Sequence, residues 1–321
     1  VEGTKICNDP GDDDIAGQTV TLADALKYSL NTVFDDLASE VGPAQVAKLA
    51  HEMGVAQTDS NGTKTLVDSK GTTGFGIGIG DYPMSVLDNA NGYATLADEG
   101  VYNNAYLVQS ATAADGKVYY QHTSSPKRVM DRRVANDVTV AMRPIARYSG
   151  QDLSGGRDSA AKTGTEGIGS TKNDSDAWMA GFTPQVASVV WMGTGYNRPI
   201  YSRNGNPLYG SGLPGTVWRK FMNHYLKHKA DKSLPDKQEI STDGTKPTTT
   251  PTETPTTYSN PPSTEAPPST DAPTTTPPTT TSPPTTSAPP TTSAPPTTSA
   301  PATSASTSCG GILGTPCNPG G

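Results

Sequence analysis

Charge of either sign is scarce in this chain. Of its 321 residues 17% are charged, and 31 acidic against 24 basic side chains leave a formal net charge of −7. No basic run or patch stands against that balance, which argues against nucleic acid as the main partner. Long apolar runs are missing as well: only 32% of the residues are hydrophobic, and no stretch reaches the eighteen or so consecutive residues that a membrane-spanning helix needs. Four histidines and three cysteines are too few and too scattered for metal-ligand spacing, so neither a metal nor another cofactor is expected. His51, on a predicted helix, and His224 and His228, near a basic C-terminal helix, read as surface residues or partners of a helix dipole. Three cysteines cannot all pair within the chain. Cys309 and Cys317 flank a Gly/Pro-containing loop and can close a small disulfide in an oxidising compartment, which leaves Cys7 single. The acidic triplet Asp12, Asp13 and Asp14 has no spaced ligand set after it and reads as a solvated loop.

The shortage of apolar residues is not uniform. Of 29 prolines 19 lie from Pro247 onward, whereas of 20 aromatic residues only Tyr258 does. Such a Thr, Pro, Ser and Ala stretch has too little apolar area to offset its ordering entropy. Ser-Ala-Pro-Pro-Thr-Thr repeats at 287–292 and 293–298, a polyproline-type spacer or stalk. The expected division is a folded domain over 1–232 and a Pro/Thr/Ser-rich disordered tail over 233–321. From residue 245 on, three acidic side chains stand against Lys246, so the body carries −5 of the net charge. The sequence opens at Val1 without an initiator Met or a signal peptide, and it reads as a piece of a longer protein.

The body alternates helical and strand signals. Leu22, Leu26, Leu30, Val33, Phe34 and Leu37 share a helical face, with Thr21 and Asp24 as a capping pair, so the spacing predicts one helix over 21–38. Pro43 and Gly54 bracket a second helix. The string from Gly74 to Gly80 has G-x-G spacing, but no strand precedes it and no Lys-Ser/Thr follows. It reads as a loop for close backbone approach, not a nucleotide site. Ser85 and Asp88 open a third helix ending near Gly100, and Val134, Val138, Met142 and Ile145 mark a fourth. Residues 106–113 and 117–120 read as a hairpin around Ala114-Asp115-Gly116. Short apolar segments at 159–164, 176–183 and 186–193 suit neighbouring antiparallel strands. A last helix is expected over 218–229.

Two short motifs stand out: Ser29-Leu30-Asn31 within the predicted first helix, and Lys162-Thr163-Gly164-Thr165 on the first of the three strands. Each triplet alone is weak. Their flanks supply context: Ala25 to Thr32 around the first, Asp88 to Gly100 as a packing helix, and Asp176 to Pro184 and Val189 to Gly193 after the second. In order and spacing over roughly 15–228 this set resembles the class A, bifunctional penicillin-binding proteins of actinobacterial type, whose transpeptidase signature is S-x-x-K, S-x-N, K-T-G.

The resemblance implies an α+β penicillin-binding protein/β-lactamase-like fold, an antiparallel sheet flanked by helices plus a helical subdomain, incomplete at its N-terminus. It implies a D,D-transpeptidase acting on peptidoglycan stem peptides ending in D-Ala-D-Ala, open to β-lactams, outside the cytoplasm in the cell envelope. Lys162 then supplies a cation for the peptide carboxylate, which Thr163 and Thr165 hydrogen-bond. Gly164 lets the peptide lie against the strand, and the Thr165 N–H forms half of an oxyanion hole. Ser29 shuttles a proton and Asn31 holds the substrate amide.

One motif of the signature is missing, since none of the 28 residues before Ser29 is a serine. Ser124-Ser125-Pro126-Lys127 lies in a predicted turn, and Ser159-Ala160-Ala161-Lys162 spans a strand, where positions three apart face opposite ways. Both read as decoys, so the chain is expected to lack its nucleophile, to be inactive alone, and to be marginally stable with an exposed sheet edge. Two readings stay open beside this one: a related β-lactamase or D,D-carboxypeptidase, although Glu166 reads as a surface residue and not as a deacylating base, and a non-catalytic wall-associated binding or scaffold protein.

Overall fold

The first two helices show how local chemistry and tertiary contact divide the work. Thr21 caps α1 (Leu22–Tyr28), its hydroxyl accepting the Asp24 N–H at 3.1 Å. The expected single helix breaks here: Ser29 turns left-handed at φ 61°, ψ 41°, and α2 (Asn31–Val41) begins anew. The Ser29 N–H reaches the Leu26 carbonyl and the Leu30 N–H the Ala25 carbonyl, a Schellman closure with serine where glycine is usual. Leu30 stays buried across the break, so the apolar spacing runs on and hides it.

The computed structural model describes residue 8, residues 18–169 and residues 171–237. The acidic triplet, the three cysteines and the proline-rich repeats lie outside the described residues. Helix α3 (Pro43–Glu52) starts with proline in its first turn, as the sequence predicts. The glycine string forms a 3₁₀ turn, Phe75–Ile79, against α2; a Cβ on Gly78 would lie 2.3 Å from the Phe34 carbonyl oxygen, so only glycine permits that approach. Ser85 caps α4 (Val86–Ala97), accepting the Asp88 N–H at 3.0 Å.

Four short strands follow: β1 (Val101–Tyr102), β2 (Ser110–Thr112), β3 (Val118–Gln121) and β4 (Lys127–Arg128), with β2 on β3 and β1 on β4, both antiparallel. The hairpin is shorter than expected on its first side. Helix α5 (Arg132–Tyr148) then leads into the main sheet of β5 (Ala160–Gly167), β6 (Asp174–Thr183) and β7 (Val186–Gly193), antiparallel in the order β5-β6-β7. Helix α6 (Leu213–Leu226) starts before the expected residue 218, because Pro214 suits a helical first turn.

The strand period of two decides the layers. Ala161 and Met179 turn to one face and pack with Trp218, Met222 and Leu226 of α6. Ala160 and Phe182 turn to the other, against Met142 and Ile145 of α5, with Leu26 of α1 and Tyr93 of α4 beside them. Each large side chain buried there contributes about 1.5–3 kcal/mol. After α6 the chain is strapped back: Arg157 donates to the Lys229 and Ala230 carbonyls, Arg143 to that of Leu234, and Leu234 is buried beside Ala160 and Phe182. Among the described residues β5 and β7 each have a strand partner on one side only, and no helix is long and apolar enough to cross a membrane.

Candidate functional site

The break between α1 and α2 faces the sheet at Lys162. On β5, Lys162 shares the α1 and α5 face with Ala160, and its ammonium donates to the Ser29 hydroxyl oxygen at 2.8 Å and to the Thr163 carbonyl at 2.9 Å. Two motifs 133 positions apart thus meet in one hydrogen bond. Burial lowers the Lys162 pKa to about 8, close enough to neutrality for the ammonium to give up a proton. A serine held by such a lysine can pass protons, and the left-handed backbone at Ser29, uncommon for a non-glycine residue, aims its hydroxyl there. Asn31 opens α2 two residues on. The S-x-N motif therefore straddles two helices and does not lie inside one.

Around that contact the neighbourhood is braced. Lys27 lies 4.8 Å from the ring centroid of Tyr28 and 5.2 Å from that of Tyr148, and the two rings meet edge-on at 5.5 Å, tying the end of α1 to α5. Along β5, Thr163, Gly164 and Thr165 continue a strand whose outer edge has no strand partner among the described residues. The loop before α6 presses on this strand: a Cβ on Gly210 would lie 2.3 Å from the Trp178 carbonyl oxygen and 2.4 Å from that of Gly164. Its N–H donates to the Thr165 hydroxyl oxygen at 3.1 Å, which leaves that hydroxyl its own hydrogen to donate.

Glu166 departs from expectation. It is half-buried opposite Asp176 on β6, and burial, with the Asp81 and Asp176 carboxylates nearby, raises its pKa to about 7. Asp176 in turn accepts the Trp191 indole N–H at 2.6 Å. Asp81 is held in the turn after the glycine string and is raised by burial. Sequence reasoning missed this trio because its members come from three separate segments; only the pairing of β5 with β6 puts Glu166 across from Asp176. Among the described residues no group of three or more His, Cys, Asp or Glu side chains could hold a metal ion.

The decoy serines stay apart from this chemistry. Ser124 donates to the Asn103 side chain, and Ser159 is buried at the start of β5 while the Lys162 ammonium turns to Ser29. His51 is not a plain surface residue: its Nδ1 lies 2.9 Å from the Val55 carbonyl, at the end of α3. His224 and His228 are exposed.

A three-stranded antiparallel sheet between helices, with a Lys-Thr-Gly strand meeting a Ser-x-Asn turn, defines a serine acyl-transfer fold of the penicillin-recognising class. Over residues 5–206 the chain matches the penicillin binding protein transpeptidase domain, and it belongs to that family. It is 41% identical over 250 residues to Penicillin-binding protein 1A of Mycobacterium tuberculosis, a match covering 75% of this chain and 30% of that protein. The Mycolicibacterium smegmatis protein of the same name is 41% identical over 248 residues, 75% of this chain and 31% of that one. The solved structure of PonA1 from M. tuberculosis aligns with a TM-score of 0.69 at 39% identity, over 75% of this chain and 64% of that one. PonA1 has also been solved in complex with penicillin V, which aligns with a TM-score of 0.68. The actinobacterial class A resemblance and the α+β fold are borne out, and the chain spans about three-tenths of the length of these curated relatives.

Proposed function

We propose that this chain carries the carboxylate-binding and proton-shuttling part of a peptidoglycan D,D-transpeptidase, an enzyme of the cell envelope that cross-links stem peptides through a serine acyl-enzyme. The observation that carries this reading is the 2.8 Å contact between Lys162 and Ser29 beside an open strand edge. A peptide ending in D-Ala-D-Ala adds to that edge as a further strand. Its terminal carboxylate is taken by Lys162 with the hydroxyls of Thr163 and Thr165, Gly164 lets its backbone lie close, and the Thr165 N–H serves the oxyanion. Ser29 relays a proton between the Lys162 ammonium and the amine that leaves or attacks, and Asn31 holds the substrate amide. β-Lactams, such as the penicillin V bound by PonA1, are expected in the same place. The chemistry requires no cofactor. In this proposal the parent protein is membrane-anchored, extracytoplasmic and also a glycosyltransferase.

Within these 321 residues no serine precedes Ser29, so the chain by itself is proposed to bind and orient peptide without forming an acyl-enzyme. Radiolabelled penicillin tests this. The chain is expected to stay unlabelled, and a version extended upstream with a Ser-x-x-Lys segment is expected to label. Covalent labelling of the present chain would overturn the assignment of Ser124 and Ser159 as bystanders. Equilibrium binding of a D-Ala-D-Ala peptide should persist and weaken at least about tenfold in Lys162→Ala; an unchanged affinity removes Lys162 from the site.

A further inference from the structure

Helix α2, whose first residue is Asn31, lacks a cap of its own. Leu30 stands at its N-cap position and has no side-chain oxygen, so no cap hydrogen bond is made from within the helix. The first N–H groups of a helix have no intrahelical acceptor and need one from elsewhere. Here it comes from Asn8: its Oδ1 accepts the Thr32 backbone N–H at 3.1 Å and the Thr32 hydroxyl at 3.2 Å, across 24 positions of sequence. One carboxamide oxygen does in trans what a capping serine or aspartate does in cis. This matters for the site because α2 starts directly after the left-handed turn that presents Ser29 to Lys162. The Schellman bonds fix that turn from the α1 side only.

We propose that Asn8 is a positioning residue of the site: by clamping the N-terminus of α2 through Thr32 it fixes the far side of the Ser29–Leu30 break, and so sets where the Ser29 hydroxyl and Asn31 stand relative to Lys162. Without the clamp the first turn of α2 frays, the break at Ser29 relaxes toward more populated backbone angles, and the Lys162 ammonium loses an ordered partner and gains water.

The test uses the full chain and reads the titration of Lys162 from its side-chain 13Cε resonance without any ligand. This arm is therefore independent of the proposed function, and peptide affinity is measured as a second arm that rests on it. In the unmodified chain the lysine is expected to titrate near 8. In Asn8→Ala the midpoint rises toward the ordinary lysine value, and D-Ala-D-Ala peptide affinity falls about tenfold. Asn8→Asp keeps the acceptor, adds a charge that suits a helix N-terminus, and is expected to restore both. Thr32→Val removes only the hydroxyl arm and gives a smaller shift in the same direction, which keeps the question decidable should Asn8→Ala fail to fold. A lower melting temperature with an unmoved Lys162 titration, in either variant, would make Asn8 a helix cap and nothing more, and would overturn the proposal. If Lys162 moves while peptide affinity does not, the positioning of Lys162 stands and the assigned peptide site fails.

Discussion

At the scale of single residues the site is held together by groups in unfavourable states. Lys162 releases its proton near pH 8 in the folded chain but near 10.5 when unfolded, so the unfolded state binds more protons between those values. Folding stability should therefore rise with pH across that window. Lys162→Met removes the buried ammonium, and at pH 7 it is expected to stabilise the fold by about 1–2 kcal/mol after the lost hydrogen bonds are deducted, while peptide binding is lost. Urea unfolding at pH 7 and at pH 10 measures the difference. Glu166 has the opposite sign. Its folded carboxyl keeps a proton to about pH 7 but releases it near 4.5 when unfolded, so the folded state binds more protons and stability falls as pH rises through that range. Glu166→Gln should match the parent chain near pH 4 and exceed it above pH 7 by about 1–2 kcal/mol, once solvent screening of the half-exposed carboxyl is deducted. Equal pH profiles for the two chains would mean that Glu166 is solvated, as its sequence neighbourhood alone suggested.

At the scale of elements the decisive features are close approaches. Gly210 brings its loop onto β5 and β6, so Gly210→Ala is expected to cost about 1–3 kcal/mol from overpacking and to weaken peptide binding, because the loop withdraws its N–H from Thr165. Thermal unfolding and peptide titration of the same variant separate the two effects. The elements differ in how far the sequence made them readable. Helices α3 and α4 declared themselves through Pro43 and the Ser85–Asp88 cap, which act on near neighbours. The strands β5, β6 and β7 were legible because their apolar residues are bounded by turn residues, and Lys162 to Thr165 because the flanking segments, Asp176 to Pro184 and Val189 to Gly193, gave an otherwise weak triplet its context. The break at Ser29 was not legible: Leu30 keeps the helical phase, and the contacts that favour the break come from Lys162 and Asn8, far along the chain. The Asp81, Glu166 and Asp176 group and the Gly210 contact are products of strand pairing and loop packing, which no local pattern encodes.

For the whole molecule, the boundary of the folded part is open to a direct measurement. Leu234 is 3% exposed and the Leu234 carbonyl and Asp236 both engage Arg143, whereas the sequence alone placed the boundary at 232. We propose that the folded part takes in the segment 233–237. A chain ending at residue 237 should unfold at the same denaturant midpoint as the full chain, because the Pro/Thr/Ser-rich remainder has little apolar area to bury. A chain ending at 232 should lose about 2–3 kcal/mol, since it gives up the Leu234 side chain and leaves Arg143 short of acceptors. Equal stability of the two truncations would put the boundary back at 232.

The three tryptophans of the chain all belong to the sheet or to the helix packed on it. Trp178 stands across from Gly164, and Trp191 lies beside it with ring centroids 6.0 Å apart, while Trp218 is buried beneath the other face. Two indoles so close couple their electronic transitions. The pair thus forms a chromophore next to the Lys-Thr-Gly edge, and its near-ultraviolet circular dichroism is sensitive to the register of β6 on β7. The Trp191 indole is also bonded to Asp176, the cross-strand neighbour of Glu166, so loss of the Glu166 proton changes the electric field at that ring. The candidate site therefore holds an optical reporter whose signal is expected to change with a ligand at the strand edge and with pH near 7, while Trp218 on the opposite face is expected to report global unfolding.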